Sequence, residues 1–164
     1  MAVFDWQELA LDPAVRQLAV FLRRHFGVWV GFLDNDGISI PIGDERAGVE
    51  HPICSRIQVN SIDHDDGEAT RCLESLQDWA ERARDGEPFH RSCHAGFETV
   101  VHPIVDPAEG ETVGSIYVSG FLASEANDGP EIRGLLEENE LLAGLQEEDF
   151  EALPQLDNGQ RDVV

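Results

Sequence analysis

The side chains best suited to chemistry in this chain are sulfur and imidazole. Cys54, Cys72 and Cys93 are separated by seventeen and twenty intervening residues, and His94 follows Cys93 directly. Three thiols and one imidazole form a donor set that zinc accepts in tetrahedral geometry, and thiolates also hold iron–sulfur clusters. Thiol oxidation would instead make the cluster itself a signal. The spacing gives no local support, because metal modules usually fix two ligands with a short C-x₂₋₄-C pair and none occurs here. The competing reading is that Cys72 is a small core residue on an apolar helix stripe. An odd cysteine count without a secretion signal argues against a disulfide framework.

Catalysis is not expected. Cys93 and His94 fall in a stretch read as strand, where neighbouring side chains point to opposite faces and cannot form a dyad. The chain lacks a Gly-x-Ser-x-Gly elbow, a phosphate-binding glycine loop and a His-Glu-x-x-His helix. Carboxylates are too abundant for one acid/base pair to stand out.

Charge excludes further classes. Thirty-three acidic residues face eleven arginines, with no lysine, for a net charge of −22. Such a chain repels phosphate backbones and anionic lipid, so neither direct nucleic-acid binding nor membrane binding is expected. From Glu125 to Asp162, twelve carboxylates oppose Arg133 and Arg161, a local net of −10. That surface either solubilises the protein or makes it a ligand-free acidic adaptor for a basic partner, whose binding would collapse in salt. No apolar run reaches the ~18–20 residues of a membrane span. Met1 to Trp6 shows no secretion signal, so a soluble, cytoplasmic protein is expected.

The elements that would position these groups follow from periodicity. Asp5-x-x-Glu8 fits a capping box, and Asp12-Pro13 places an N-cap before a proline at the first helical position. Val15, Leu18, Ala19 and Leu22 recur at helical spacing up to Gly27, giving an N-terminal helical segment over 1–26. Phe21 and Phe26 at the edge of that stripe make a homodimer through Asp12–Phe26 an expectation. Val28–Leu33, the turn Asp34-Asn35-Asp36-Gly37 and Ile38–Ile42 read as a β-hairpin. The turn tetrapeptide lacks the remaining ligands of a calcium loop. Ala69, Cys72, Leu73, Leu76, Trp79, Ala80 and Ala83 predict the strongest helix. Strands are expected at 99–101, 103–105 and 113–122, then helices near Glu131–Leu145 and Glu147–Leu153. This order predicts one α+β domain over 27–164, an antiparallel sheet with helices packed on one side and a helical C-terminal segment.

Cys93-His94-Ala95-Gly96-Phe97, then Pro103-Ile104, then Val113-Gly114-Ser115-Ile116-Tyr117-Val118-Ser119-Gly120, resemble the sensory domain named after the regulator PocR. Cys54 before the long helix and Cys72 within it also match the family pattern, and the similarity runs from Gly27 onward. Two departures are Phe97, where leucine is usual, and Phe121, where the family usually closes the strand with glutamine. The resemblance implies a PAS/GAF-like fold that binds a small organic ligand, in the name-giving case a diol, and signals to an output protein or domain. It implies Cys54, Cys72, Cys93 and His94 as ligand-binding or metal-ligating residues, with zinc or an iron–sulfur centre as the metal alternative. His102, Trp29 and Tyr117 are further candidates for the pocket wall. A metal- or redox-sensing domain built on the Cys3His set is the second function expected.

Overall fold

A computed structural model of the protein describes residues 4–42, 68–123, 134, 137, 146–151 and 153–161. Two helices open it, α1 (Trp6–Leu11) and α2 (Pro13–Phe26). Asp5 caps α1, its carboxylate accepting from the amides of Gln7 and Glu8 at 2.9 and 3.1 Å. Asp12 caps α2 in the same way, accepting from Ala14 and Val15 at 2.8 and 3.2 Å. Each carboxylate satisfies amides that have no partner inside the helix and lies where the helix dipole is positive. Gly27 ends α2, its amide donating to the Arg23 carbonyl.

The expected hairpin is present as β1 (Trp29–Asp34) and β2 (Ser39–Pro41). Its turn is held by the Asp34 side chain, which accepts from the amides of Asp36 and Ile38 at 2.9 and 2.8 Å. After the long helix α3 (Glu68–Ala83) come β3 (Phe89–Ser92), β4 (Glu98–Val105) and β5 (Thr112–Ala123). The two short strands expected at 99–101 and 103–105 are therefore one. The sheet runs β2-β1-β5-β4-β3, all antiparallel. A short strand that periodicity could not reveal, β6 (Gln155–Leu156), pairs parallel with the end of β5. Helices α4 (Glu147–Glu151) and α5 (Asn158–Arg161) flank it. The expected helix at 131–145 lies outside the described residues apart from Gly134 and Glu137, both helical, and so does 43–62, which reads from sequence as a loop over 43–49 and then as either a short helix or a strand over 51–62.

The α+β class and the antiparallel sheet are as expected, while the helices divide between the two faces. Side chains alternate along each strand. Val30, Val118 and Val100 therefore share one face, with Ala19 and Leu22 of α2 and Phe26 packed on them. Leu33, Tyr117 and Val101 share the other, covered by Leu76, Trp79, Ala80 and Ala83 of α3. Leu73 lies at the edge of the α3 stripe and stays 46% exposed. One β-bulge changes the alternation. Between the pairs Thr99–Ser119 and Glu98–Phe121 an extra residue, Gly120, is inserted with φ of 85°. That left-handed conformation is open to glycine, and the bulge re-aims the residue that follows. Phe121 thereby joins the α2 cluster, fully buried.

Candidate functional site

The face under α3 is unusual in its polar content. In a row across the sheet, Trp29, Ser119, Thr99 and Arg91 stand side by side; in the next, Gly31, Tyr117, Val101 and Phe89; in the third, Leu33, Ser115 and Pro103. The chain's one tyrosine lies flat over Gly31: a Cβ built at Gly31 would come within 2.8 Å of the phenol oxygen. Glycine there is a matter of space, since any side chain would lift the ring off the strand. The Tyr117 hydroxyl accepts from the Trp29 Nε1–H at 3.2 Å and shares a 2.8 Å hydrogen bond with the Ser39 hydroxyl. Tyr117 is 6% exposed, and its ring packs against Trp79 at 6.0 Å between centroids. Thr99 and Ser119 share a hydroxyl hydrogen bond of 2.8 Å. Ser115, fully buried, has a hydroxyl with no hydrogen-bond partner among the described residues. A buried hydroxyl left so costs about 1–3 kcal/mol.

Sulfur and imidazole gather at the β3 end of this face. Residues 93–96 form a tight turn rather than the strand expected, closed by Gly96 N–H to the Cys93 carbonyl at 2.9 Å and Cys93 N–H to the Phe97 carbonyl at 2.8 Å. Gly96 has φ of 84°, which the turn requires and which glycine adopts without strain. The alternation argument that separated Cys93 from His94 therefore does not apply. Cys93 packs against the cluster of Trp79, Phe89 and Tyr117. Burial pushes its thiol pKa up, while the amides of Ala95, Phe97 and Gly96, together with its own, favour the thiolate and pull the other way. The Cys72 sulfur on α3 lies 4.0 and 3.9 Å from Nδ1 and Nε2 of His94, a contact shared by both ring nitrogens. Arg91 on β3 holds Asp78 on α3 at 3.2 Å, an exposed pair that contributes little to stability.

Five of the seven candidate residues thus lie on the α3 side: Trp29, Cys72, Cys93, His94 and Tyr117. Cys54 lies outside the described residues. His102 does not join them. It pairs with Ile116 on the opposite face and is exposed, because it follows Val101 by one position in β4. Among the described residues no three histidine, cysteine or carboxylate groups converge as a metal site. Sequence reasoning passed over Ser39, Thr99, Ser115, Ser119 and Gly31. The period-two run Ser115, Tyr117, Ser119 was the available signal: three hydroxyls on one face of a strand whose other face is Ile116 and Val118.

No helix among the described residues is long and apolar enough to cross a membrane. No curated protein matches the chain. A family model does, over residues 13–162: the sensory domain found in PocR. The match takes in α2, the whole sheet, the Cys-His-Ala-Gly turn and β6, and the chain belongs to the PocR sensory-domain family.

Proposed function

We propose that this sensory domain recognises a small, uncharged, hydroxyl-bearing organic molecule between α3 and the sheet. The observation that carries the reading is the set of hydroxyls on that face, buried at Ser115, Tyr117 and Thr99, half-buried at Ser119 and exposed at Ser39, with Ser115 lacking a partner among the described residues. Hydroxyls both donate and accept, so they suit a diol or a similar neutral ligand, while Trp29, Trp79 and Tyr117 supply apolar walls. The one charged side chain in these rows, Arg91 beside Thr99, is exposed and paired with Asp78, so the buried part of the face carries no charge, which disfavours an ionic ligand. Occupancy would bias the packing of a terminal helix and so pass the signal to an output partner.

The test is a thermal-shift and calorimetric panel of short diols, triols and matched alcohols against the protein, repeated with Tyr117→Phe and Ser115→Ala. Stabilisation by a neutral polyol that both substitutions weaken supports the reading. Binding that the substitutions leave untouched would place the ligand elsewhere.

A second reading has its own support in the 3.9 Å approach of Cys72 to His94 and the amide-ringed Cys93 sulfur. These thiols, deprotonated on binding a metal and joined by Cys54, would hold zinc or an iron–sulfur centre, or serve as a redox sensor. Elemental analysis of anaerobically purified protein with a thiol count decides it. Three titratable thiols and no metal remove the metal form.

A further inference from the structure

We infer that a second copy of this chain docks on α2, with the two helices crossing antiparallel. The helix buries Ala19 and Leu22 against its own sheet and leaves Leu18 and Phe21 exposed at 49% and 47%. Ala14, Leu18, Phe21 and His25 follow one another at spacings of four, three and four, and all four are exposed. That is the spacing of a helix–helix seam, next to the buried stripe and not part of it. Phe26, expected at the interface, instead packs on the α2-side core, while Phe21 lies against the His25 ring at 4.4 Å.

Charge selects both the occupant and its direction. Two bodies of net charge −22 repel each other over most of their surfaces. Residues 13–26 are the exception, with Arg16, Arg23 and Arg24 and no carboxylate. The acids that adjoin the helix in sequence, Asp5, Glu8 and Asp12, lie at its N-terminal end, whereas Arg23, Arg24 and His25 form the last turn. A parallel pair would set these like charges against each other. An antiparallel pair lays the basic turn of one copy beside the acidic end of its partner, opposes the helix dipoles, and matches Leu18 with Phe21 and Ala14 with His25. An acidic amphipathic partner helix would also answer the arginines, but it would leave the purified chain monomeric.

Light scattering on size-exclusion eluate, read over a concentration series, should show a dimer. Leu18→Glu combined with Phe21→Glu should raise its dissociation constant at least about 100-fold, with the melting curve retained because both sites are exposed. Disulfide trapping reads direction, with the wild-type chain as the control for native thiols. Mixed Ala14→Cys and His25→Cys chains should cross-link to each other, while Ala14→Cys alone should not cross-link to itself. A wild-type monomer at every accessible concentration, or a dimer indifferent to the double substitution, overturns the proposal. Self-cross-linking of Ala14→Cys overturns the antiparallel arrangement.

Discussion

The α2 face of the sheet is built from Val28, Val30, Val100, Val118, Phe121 and Leu156, whereas the α3 face interleaves Leu33, Val101 and Phe89 with Tyr117, Ser115, Thr99 and Cys93. Each is covered by an amphipathic helix, the first also by Trp6 of α1 against Phe32, so the presence of a cover does not explain the difference. On the first face every group can be satisfied by close packing alone. On the second, hydroxyls are removed from water and one has no partner among the described residues, a cost that packing does not demand. On the proposed function, aliphatic packing lies on one side of β5 and recognition on the other. The single strand serves both because its residues alternate.

The contrast can be broken most severely from the aliphatic side. Phe121→Ala removes a fully buried ring and should cost about 3–5 kcal/mol of unfolding free energy in denaturant titrations. If the faces are separate in role, the surviving folded protein keeps its ligand preference. A changed preference would show that the α2 core also shapes the site.

Next comes Gly31→Ala. The added methyl meets the Tyr117 phenol, so the ring must lift and the hydroxyl must leave Trp29 and Ser39. A loss of about 1–3 kcal/mol is expected, together with loss of any polyol-induced thermal shift. Retention of that shift would separate Tyr117 from recognition. Ser115→Ala works in the opposite direction. Removing a buried hydroxyl without a partner should stabilise the unliganded protein by about 1 kcal/mol and weaken polyol binding. If the substitution destabilises the protein, the hydroxyl is structural.

The smallest effect concerns Cys93. Because burial raises its pKa in the folded chain, the native state holds the thiol proton more tightly than the unfolded state does. Its contribution to stability is therefore complete below the ordinary thiol range and falls as pH rises through the folded value. Cys93→Ser should flatten the alkaline limb of a stability–pH curve, and Cys93 should react slowly with thiol reagents until the protein is denatured. A steeper limb after substitution would reverse the sign of this argument.

Much of the architecture was legible because its signals are local. Asp5 and Asp12 as caps, the Asp34–Gly37 turn and the α3 stripe each depend on residues within one or two turns of each other. What was not legible depends on pairing. No periodic signal marks the two-residue strand Gln155–Leu156, which exists because the end of β5 offers it unpaired groups. The division of helices between faces depends on the sheet as a whole. At the site, sulfur and imidazole drew attention by type, and Cys72 does meet His94. His102 did not follow, since proximity to Pro103 says nothing of face. Phe121 likewise departs from the family's glutamine at a strand end that the Gly120 bulge turns toward the α2 core, so the departure falls on the scaffold side. The hydroxyl row was present in the alternation of Ser115, Tyr117 and Ser119, yet serines in a strand read as unremarkable until their burial is known.

The contact of Tyr117 with both Trp29 and Trp79 has an optical consequence. Two of the three indoles in the chain lie against the only phenol, on the side assigned to recognition, while Trp6 lies on the far side against Phe32. Exciting the phenol should therefore feed emission from those two indoles, and exchanging a hydrogen bond at Nε1 of Trp29 should move that emission in wavelength. If the ligand binds on this face as proposed, the domain carries its own fluorescent readout of occupancy, and titrations need no label.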